Sequence, residues 1–285
     1  MILVFGKTGQ VATELQDFKF VKALGREQAD LSDPEACARA VKFYRPQAVT
    51  NAAAYTSVDK AESEEDLANI INGEATGAIA KACSELDIPY VHISTDYVFD
   101  GTGTKPWSIK DIPNPKNAYG RSKLKGEKII QASGCTYAIL RTSWVVSAHG
   151  NNFVKTMLRL SKTRDSLAVV DDQIGGPTCA RDIARTCLSI SEWLIKDPNK
   201  SGVYHYSGQP DVSWCQFANT IFKQAERQTI ATPITTSDYP TAAKRPINSK
   251  LDCTATQEIF GIGRPLWLDG LGQIIRDLES KHEKA

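Results

Sequence analysis

The chain opens on MILVFGKTGQVATEL, residues 1–15, an apolar run followed by a glycine-rich turn and an amphipathic segment. Its Gly6-Lys7-Thr8 triplet matches the end of a nucleotide phosphate loop, but that loop, G-x-x-x-x-G-K-[ST], needs a glycine where Met1 stands. What remains is G-x-x-G-x-x-A at Gly6, Gly9 and Ala12. Set directly after Ile2 to Phe5, it reads as strand, tight turn and helix, the first unit of a dinucleotide-binding fold. Gly6 permits the turn, Gly9 lets the backbone approach a pyrophosphate, and small Ala12 lets helix and strand pack closely. The free amides and partial positive charge of the helix N-terminus then face the phosphates.

Outward from this turn, short apolar runs alternate with helix-length amphipathic stretches: ILVF, FVKAL, AVTNAAA, YVHIS and TYAILRTSW. This alternation predicts an α/β fold, a Rossmann-type doubly wound parallel sheet with helices on both faces. Residues 1–144 form the dinucleotide-binding part, with GVYHYSG near 200–208 returning as a strand, and residues 145–285 form mainly a smaller substrate-binding domain. The stretch from Val58 to Leu86 is the longest helical pattern. VVDDQIGGPT and the proline-rich segment Thr232 to Pro246 break the alternation and read as irregular parts of the second domain.

The composition narrows the class of function. With 285 residues and 41% hydrophobic content the chain can build a sizeable core. A net charge of +1 and the lack of a basic run argue against nucleic acid or an anionic membrane as partner. Seven scattered cysteines without a C-x-x-C pair suit reduced thiols and packing rather than a metal site. Met1 running straight into a buried-looking strand, and the lack of an apolar stretch near the roughly 18 residues of a membrane span, predict a cytoplasmic protein.

The chemistry sits in HISTDYVFDG and NAYGRSK. Tyr119 and Lys123 form Y-x-x-x-K, one helical turn apart, so both side chains project from one face. A neighbouring ammonium favours the phenolate; at about 4 Å and an effective dielectric near 20 the attraction is at most about 4 kcal/mol, which would bring Tyr119 to titrate near the working pH. A hydroxyl at the preceding strand end, Ser94 or Thr95, would hydrogen-bond a substrate oxygen where charge develops.

FGKTGQV, NAAAYTSVDKAE, STDYVFDG, YGRSKLKGE, LRTSWV, DDQIGGPT and KRPINSKLD together resemble the extended short-chain dehydrogenase/reductase superfamily and, within it, the dTDP-4-dehydrorhamnose reductase family, over nearly the whole chain. The resemblance implies Thr95, Tyr119 and Lys123 as catalytic residues, with Ser94 and Trp144 near the sugar. It implies cofactor contacts from Gly6, Thr8, Gly9, Gln10 and Val11, from Ala52, Ala53 and Tyr55, from Asp30 and Leu31, and from Asn72, Tyr119 and Lys123. The activity so implied is reduction of the C4 keto group of dTDP-4-dehydro-L-rhamnose to dTDP-L-rhamnose.

After FVKAL comes Gly25-Arg26 rather than an acidic residue that would repel a 2′-phosphate, so NADPH is expected over NADH, with use of NADH left open. Several family members hold a divalent metal at a dimer interface through a glutamate after DQ-G-PT. Arg181 stands near that place here, so magnesium is not expected, and the oligomer is left open between monomer and weak dimer. Two other readings share parts of this pattern. A nucleotide-sugar epimerase or dehydratase of the same superfamily has the turn, Tyr119 and Lys123, but Tyr97 stands where a dehydratase carries glutamate. The non-catalytic regulatory subunit of methionine adenosyltransferase is similar as well.

Overall fold

The computed structural model describes residues 1–282. Six strands, β1 (Ile2–Phe5), β2 (Val21–Leu24), β3 (Ala48–Asn51), β4 (Tyr90–Thr95), β5 (Tyr137–Thr142) and β6 (Gly202–His205), form one parallel sheet in the order β2-β1-β3-β4-β5-β6. Each coincides with an apolar run read from the sequence, including the returning strand. The order reverses beside β1, so the crevice beyond the C-terminal ends of β1 and β3 is the switch point where α/β sheets take their ligands.

Two cores cover the two faces. Helix α1 (Gln10–Leu15) packs against one face together with the later helix Ala180–Lys196, which inserts Ile183, Ala184, Cys187 and Leu188 against Ile2, Val4 and Val91. That helix falls in the segment assigned from sequence to the second domain, yet it supplies the crossover from β5 to β6. The opposite face buries Leu3, Phe5 and Val49 under α2 (Pro34–Tyr44) and α3 (Ala75–Glu85). Near-continuous apolar strands such as Ile2–Phe5, buried at every position, are what a sheet covered on both faces requires.

The long helical pattern from Val58 to Leu86 does not run as one helix. It breaks after Val58–Ala61, resumes at Glu65–Asn69 and passes through a π-helical turn, Ile70–Glu74, before α3. The carboxylates at the break make tertiary contacts: Glu62 accepts from the Ala118 amide at 2.7 Å, and Glu64 accepts from the Tyr55 hydroxyl at 2.6 Å. Helix periodicity carried no sign of these distant partners.

The remaining residues form a third core around Phe217, Ile221, Phe222, Trp267 and Leu271. The segments expected to be irregular are partly regular: Ile230–Ile234 pairs in parallel with Ser166–Val170, and Ile174–Gly175 lies between Val212–Ser213 and Asn248–Ser249. This small unit leans on the C-terminal ends of β4 and β5, where the reactive side chains lie. None of the helices among the described residues is long and apolar enough to cross a membrane.

Candidate active site

The glycine turn has the backbone that its sequence demands. Gly6 has φ +108°, a conformation that favours glycine, and a Cβ there would press on Ala52 and Ala53 at 3.3 Å. The first helical hydrogen bond of α1 runs from Thr13 to the Gly9 carbonyl, so the amides of Gln10, Val11 and Ala12 have no partner within the helix. Thr8 is exposed beside them. A backbone cradle of this kind, open at the switch point and bordered by Ala52, Ala53 and Tyr55 after β3, fits a dinucleotide pyrophosphate.

Several expected cofactor contacts resolve differently at the side chain. The Gln10 amide is committed to Val145 O, Ser147 and Asn152, tying the turn to the chain after β5, and Val11 is buried. Leu31 lies in the core with Phe5 and Leu24. Asp30 caps the next turn through the Ser32 amide, which holds its carboxyl below the usual carboxylate range. Arg26 stays exposed at the end of β2, with Asp30 at 3.8 Å. Sequence reading passed over Lys7, whose ammonium lies 3.9 Å from Glu27 on the same rim.

Asn72 braces the site from within the protein. In the π-helical turn its amide accepts from Tyr55 N at 2.8 Å and donates to Tyr55 O and to Ser122 Oγ, using the whole side chain. It thereby locks the segment after β3 to the helix α4 (Ala118–Ala132) that carries Tyr119 and Lys123.

Helix α4 is fixed at its start from three sides. Asn117 caps it by accepting from Gly120 N and donates to Lys244 O, while Glu62 holds the Ala118 amide. Asp59 adds a tie from the same short helix, binding Arg245 and the Ala243 amide of the KRPINS segment.

Tyr119 is half-buried with its ring 5.6 Å from that of Tyr97, and the Thr95 hydroxyl lies close enough to the phenol to act on its pKa. Thr95 in turn donates to Asp96 at 3.0 Å. The expectation that Tyr119 titrates near the working pH does not hold here: burial, with the charge of Asp96 adding to it, pushes the phenol up to about 12 despite Thr95. The Lys123 ammonium cannot oppose this, because it points inward, donating to Ile93 O at 2.7 Å and lying 2.9 Å from His92 Nε2. Burial brings Lys123 down to about 7, against the opposing pull of Glu127, and drives His92 well below the usual imidazole value. Tyr119 is therefore held as a protonated phenol, the form a general acid needs.

Ser94 does not share the pocket with Thr95. Successive strand residues face opposite ways, and the Ser94 hydroxyl donates to Glu127 at 2.5 Å. Glu127 is gripped by the Arg141 guanidinium at 2.6 Å in a buried ion pair under the site.

Trp144 sits at φ +49° and stacks on Trp214 with ring centroids 3.5 Å apart. Its ring passes over Gly175, where a Cβ would lie 2.8 Å from Trp144 Cε2 and 2.9 Å from Ser249 Cβ. The Ser249 hydroxyl in turn lies close enough to Asp96, the neighbour of Thr95, to act on its pKa. Trp214, from the second unit, had no signal in the sequence beyond being an aromatic at a helix start.

Arg181 occupies the place where an acidic residue was absent from the pattern. Its guanidinium lies 3.1 Å from Glu14 and 3.8 Å from Asp277, joining α1 to the C-terminal helix. Among the described residues there is no group of three His, Cys, Asp or Glu side chains able to hold a metal ion.

A glycine turn at the switch point, with a tyrosine and lysine on one helix and a threonine at the adjoining strand end, defines a nicotinamide-dependent short-chain dehydrogenase/reductase of the extended type. The model of the RmlD substrate binding domain family matches residues 1–280. The chain is 41% identical over 293 residues to the dTDP-4-dehydrorhamnose reductase of Escherichia coli K12, covering 97% of each. It superposes with a TM-score of 0.90, at 37% identity, on a dTDP-4-dehydrorhamnose reductase ortholog from Clostridium acetobutylicum, covering 98% of this chain and 99% of that one. The corresponding reductase of Bacillus anthracis, solved in complex with NADP, matches with a TM-score of 0.89 at 34% identity, covering 97% and 98%. The chain belongs to the dTDP-4-dehydrorhamnose reductase family.

Proposed function

We propose that this protein reduces the C4 keto group of dTDP-4-dehydro-L-rhamnose to the alcohol, giving dTDP-L-rhamnose, with NADPH as reductant, as the last step of dTDP-rhamnose synthesis. The observation that carries the reading is the placement of a half-buried Tyr119, held protonated, beside Thr95 at the end of β4, on the helix that carries Lys123 and next to the switch-point cradle. NADPH supplies the hydride to the carbonyl carbon. Thr95 turns its hydroxyl proton from Asp96 to the carbonyl oxygen as charge develops there, and Tyr119 gives its proton to the resulting alkoxide. Lys123, on the same helix, would donate to the nicotinamide ribose and so orient the ring. Trp144, stacked on Trp214, forms an aromatic wall for the hexose. The amides after Gly9 would hold the pyrophosphate, and Arg26 would pair with the 2′-phosphate.

The test is NADPH absorbance decay on addition of freshly prepared dTDP-4-dehydro-L-rhamnose, with Tyr119→Phe alongside. Decay that requires the sugar, with a loss of at least about a hundredfold in the variant and unchanged NADPH binding, is expected. Near-normal turnover by the variant would refute the assignment of Tyr119. Saturable NADPH binding with no decay would move the reading to another keto sugar or to a non-catalytic NADP-binding subunit.

A further inference from the structure

Behind the reactive face lies a buried polar cluster that the mechanism above does not use. His92 is fully buried on β4, two residues before Ser94, with Nε2 at 2.9 Å from Lys123 Nζ. Its Nδ1 lies 3.3 Å from the Tyr90 hydroxyl. Asn51 Nδ2 is also 3.3 Å from Nδ1 and has Thr76 Oγ1 at 3.5 Å to donate to, while Asn51 Oδ1 is fixed by the Ala53 amide.

We propose that His92 is a positioning residue for the reductase reaction: its neutral imidazole, protonated on Nδ1 toward Tyr90, offers the Nε2 lone pair to Lys123 and keeps that ammonium charged and aimed. This inference rests on the reading that a charged Lys123 orients the nicotinamide ribose. An ammonium has three hydrogens to place, and Lys123, 2% exposed, has no water to receive them. Ile93 O takes one and His92 Nε2 takes a second, leaving the third for the ribose side. Without the second acceptor the buried charge would be undersatisfied, and the lysine would shed its proton more readily.

The surrounding groups are few. Tyr119 and Glu127 lie on the lysine's own helix, with Asp96 beyond Tyr119; Tyr90 lies on β4, and Arg141 on β5 is bound to Glu127. Glu127 favours the charged lysine, but it is shared with Arg141 and Ser94. His92 is the group on the facing strand that meets the ammonium side chain to side chain.

Two measurements test this. In reductase assays, His92→Phe should move the alkaline limb of kcat/KM for the keto sugar to lower pH by about one unit, because the unsupported ammonium deprotonates earlier. His92→Gln, whose amide oxygen can reach the Nε2 position, should restore the parent limb. A limb unmoved in His92→Phe, or moved equally in both variants, would overturn the proposal. The second measurement needs neither activity nor a folded variant with phenylalanine. Long-range ¹H–¹⁵N correlation on the unmodified protein, with the His92 signals identified by their absence in His92→Gln, should show an imidazole neutral from about pH 6 to 8 with Nε2 unprotonated. An Nε2–H tautomer would overturn the proposal, because the ring would then be a donor to the lysine. Since this reading is independent of turnover, a protein that fails to reduce the sugar but shows the predicted tautomer would refute only the substrate assignment.

Discussion

The carboxylate of Glu62 accepts a 2.7 Å hydrogen bond from the backbone amide of Ala118, the residue directly before Tyr119. It satisfies one of the amides that every helix start leaves open, and its negative charge meets the positive end of α4. Glu62→Ala should lower thermal stability by about 1 kcal/mol and turnover several-fold, with Glu62→Gln intermediate because an acceptor remains. Thermal melts and steady-state kinetics on the two variants check this. Identical turnover in all three proteins would show that Asn117 alone sets the helix start.

Gly120 is the residue after Tyr119, and a Cβ there would collide with the Tyr97 carbonyl and lie 2.9 Å from Pro115 Cβ. Alanine is the better helix former, so on propensity alone Gly120→Ala would stabilise α4. Contact with fixed backbone reverses that expectation. The variant should lose at least about tenfold in turnover as Tyr119 is displaced, with a lowered melting temperature. A variant that gains stability and keeps its rate would mean the Tyr97 segment moves aside freely.

Burial lifts the Asp96 carboxyl from 3.8 to about 6, with Ser249 and Thr95 hydroxyls only partly offsetting it. Between these two values the folded protein binds a proton that the unfolded chain releases. This contribution to stability is therefore fully present below pH 4 and is lost as pH rises through 6. Asp96→Asn, neutral throughout, should escape the loss, so its stability relative to the parent should improve by about 2 kcal/mol from pH 4 to pH 7. Urea unfolding of both proteins at intervals across this range reads the difference directly. A constant difference across the range would place Asp96 in a more hydrated setting.

Arg26 is 84% exposed and free to close on a ligand, with Asp30 at 3.8 Å as its ion-pair partner among the described residues. Arg26→Gln should raise KM for NADPH by about tenfold and leave KM for NADH unchanged, because only the first cofactor carries the 2′-phosphate. An equal effect on both would assign Arg26 to the adenine or to folding. A parent enzyme preferring NADH by tenfold or more would contradict the cofactor reading itself.

The guanidinium of Arg181 bridges Glu14 and Asp277, supplying positive charge at the point where the two carboxylates approach. A cation there would meet repulsion rather than a vacant acidic site. Activity should be unaffected by chelator. A chelator-induced loss restored by magnesium would show a metal site elsewhere in the assembled enzyme.

Much of the fold was readable because its signals are local. Ile2–Phe5, Tyr90–Thr95 and Tyr137–Thr142 are apolar runs of strand length, and Gly6 needs a positive φ that few other residues accept. That Tyr119 and Lys123 share one helix follows from their spacing, but the inward turn of the lysine does not. The break at residues 62–64 was not readable, because a helix pattern says nothing of carboxylates drawn away to Tyr55 and Ala118. Ser94 and Thr95 could not be separated until the strand's pleat showed which faces Tyr119 and which faces Glu127.

The sequence by itself determined the strand-turn-helix units, the parallel sheet and the residue types of the site, because periodicity and turn chemistry act between near neighbours in the chain. Only the tertiary structure decided the electrostatics. Reasoning from spacing set the Lys123 charge against Tyr119 and lowered its pKa, whereas folding desolvates both, turns the ammonium toward His92 and Ile93, and leaves the phenol raised. The same is true of the Trp144 stack on Trp214, made across the boundary between two units. Desolvation and contact between distant residues depend on what the whole chain encloses.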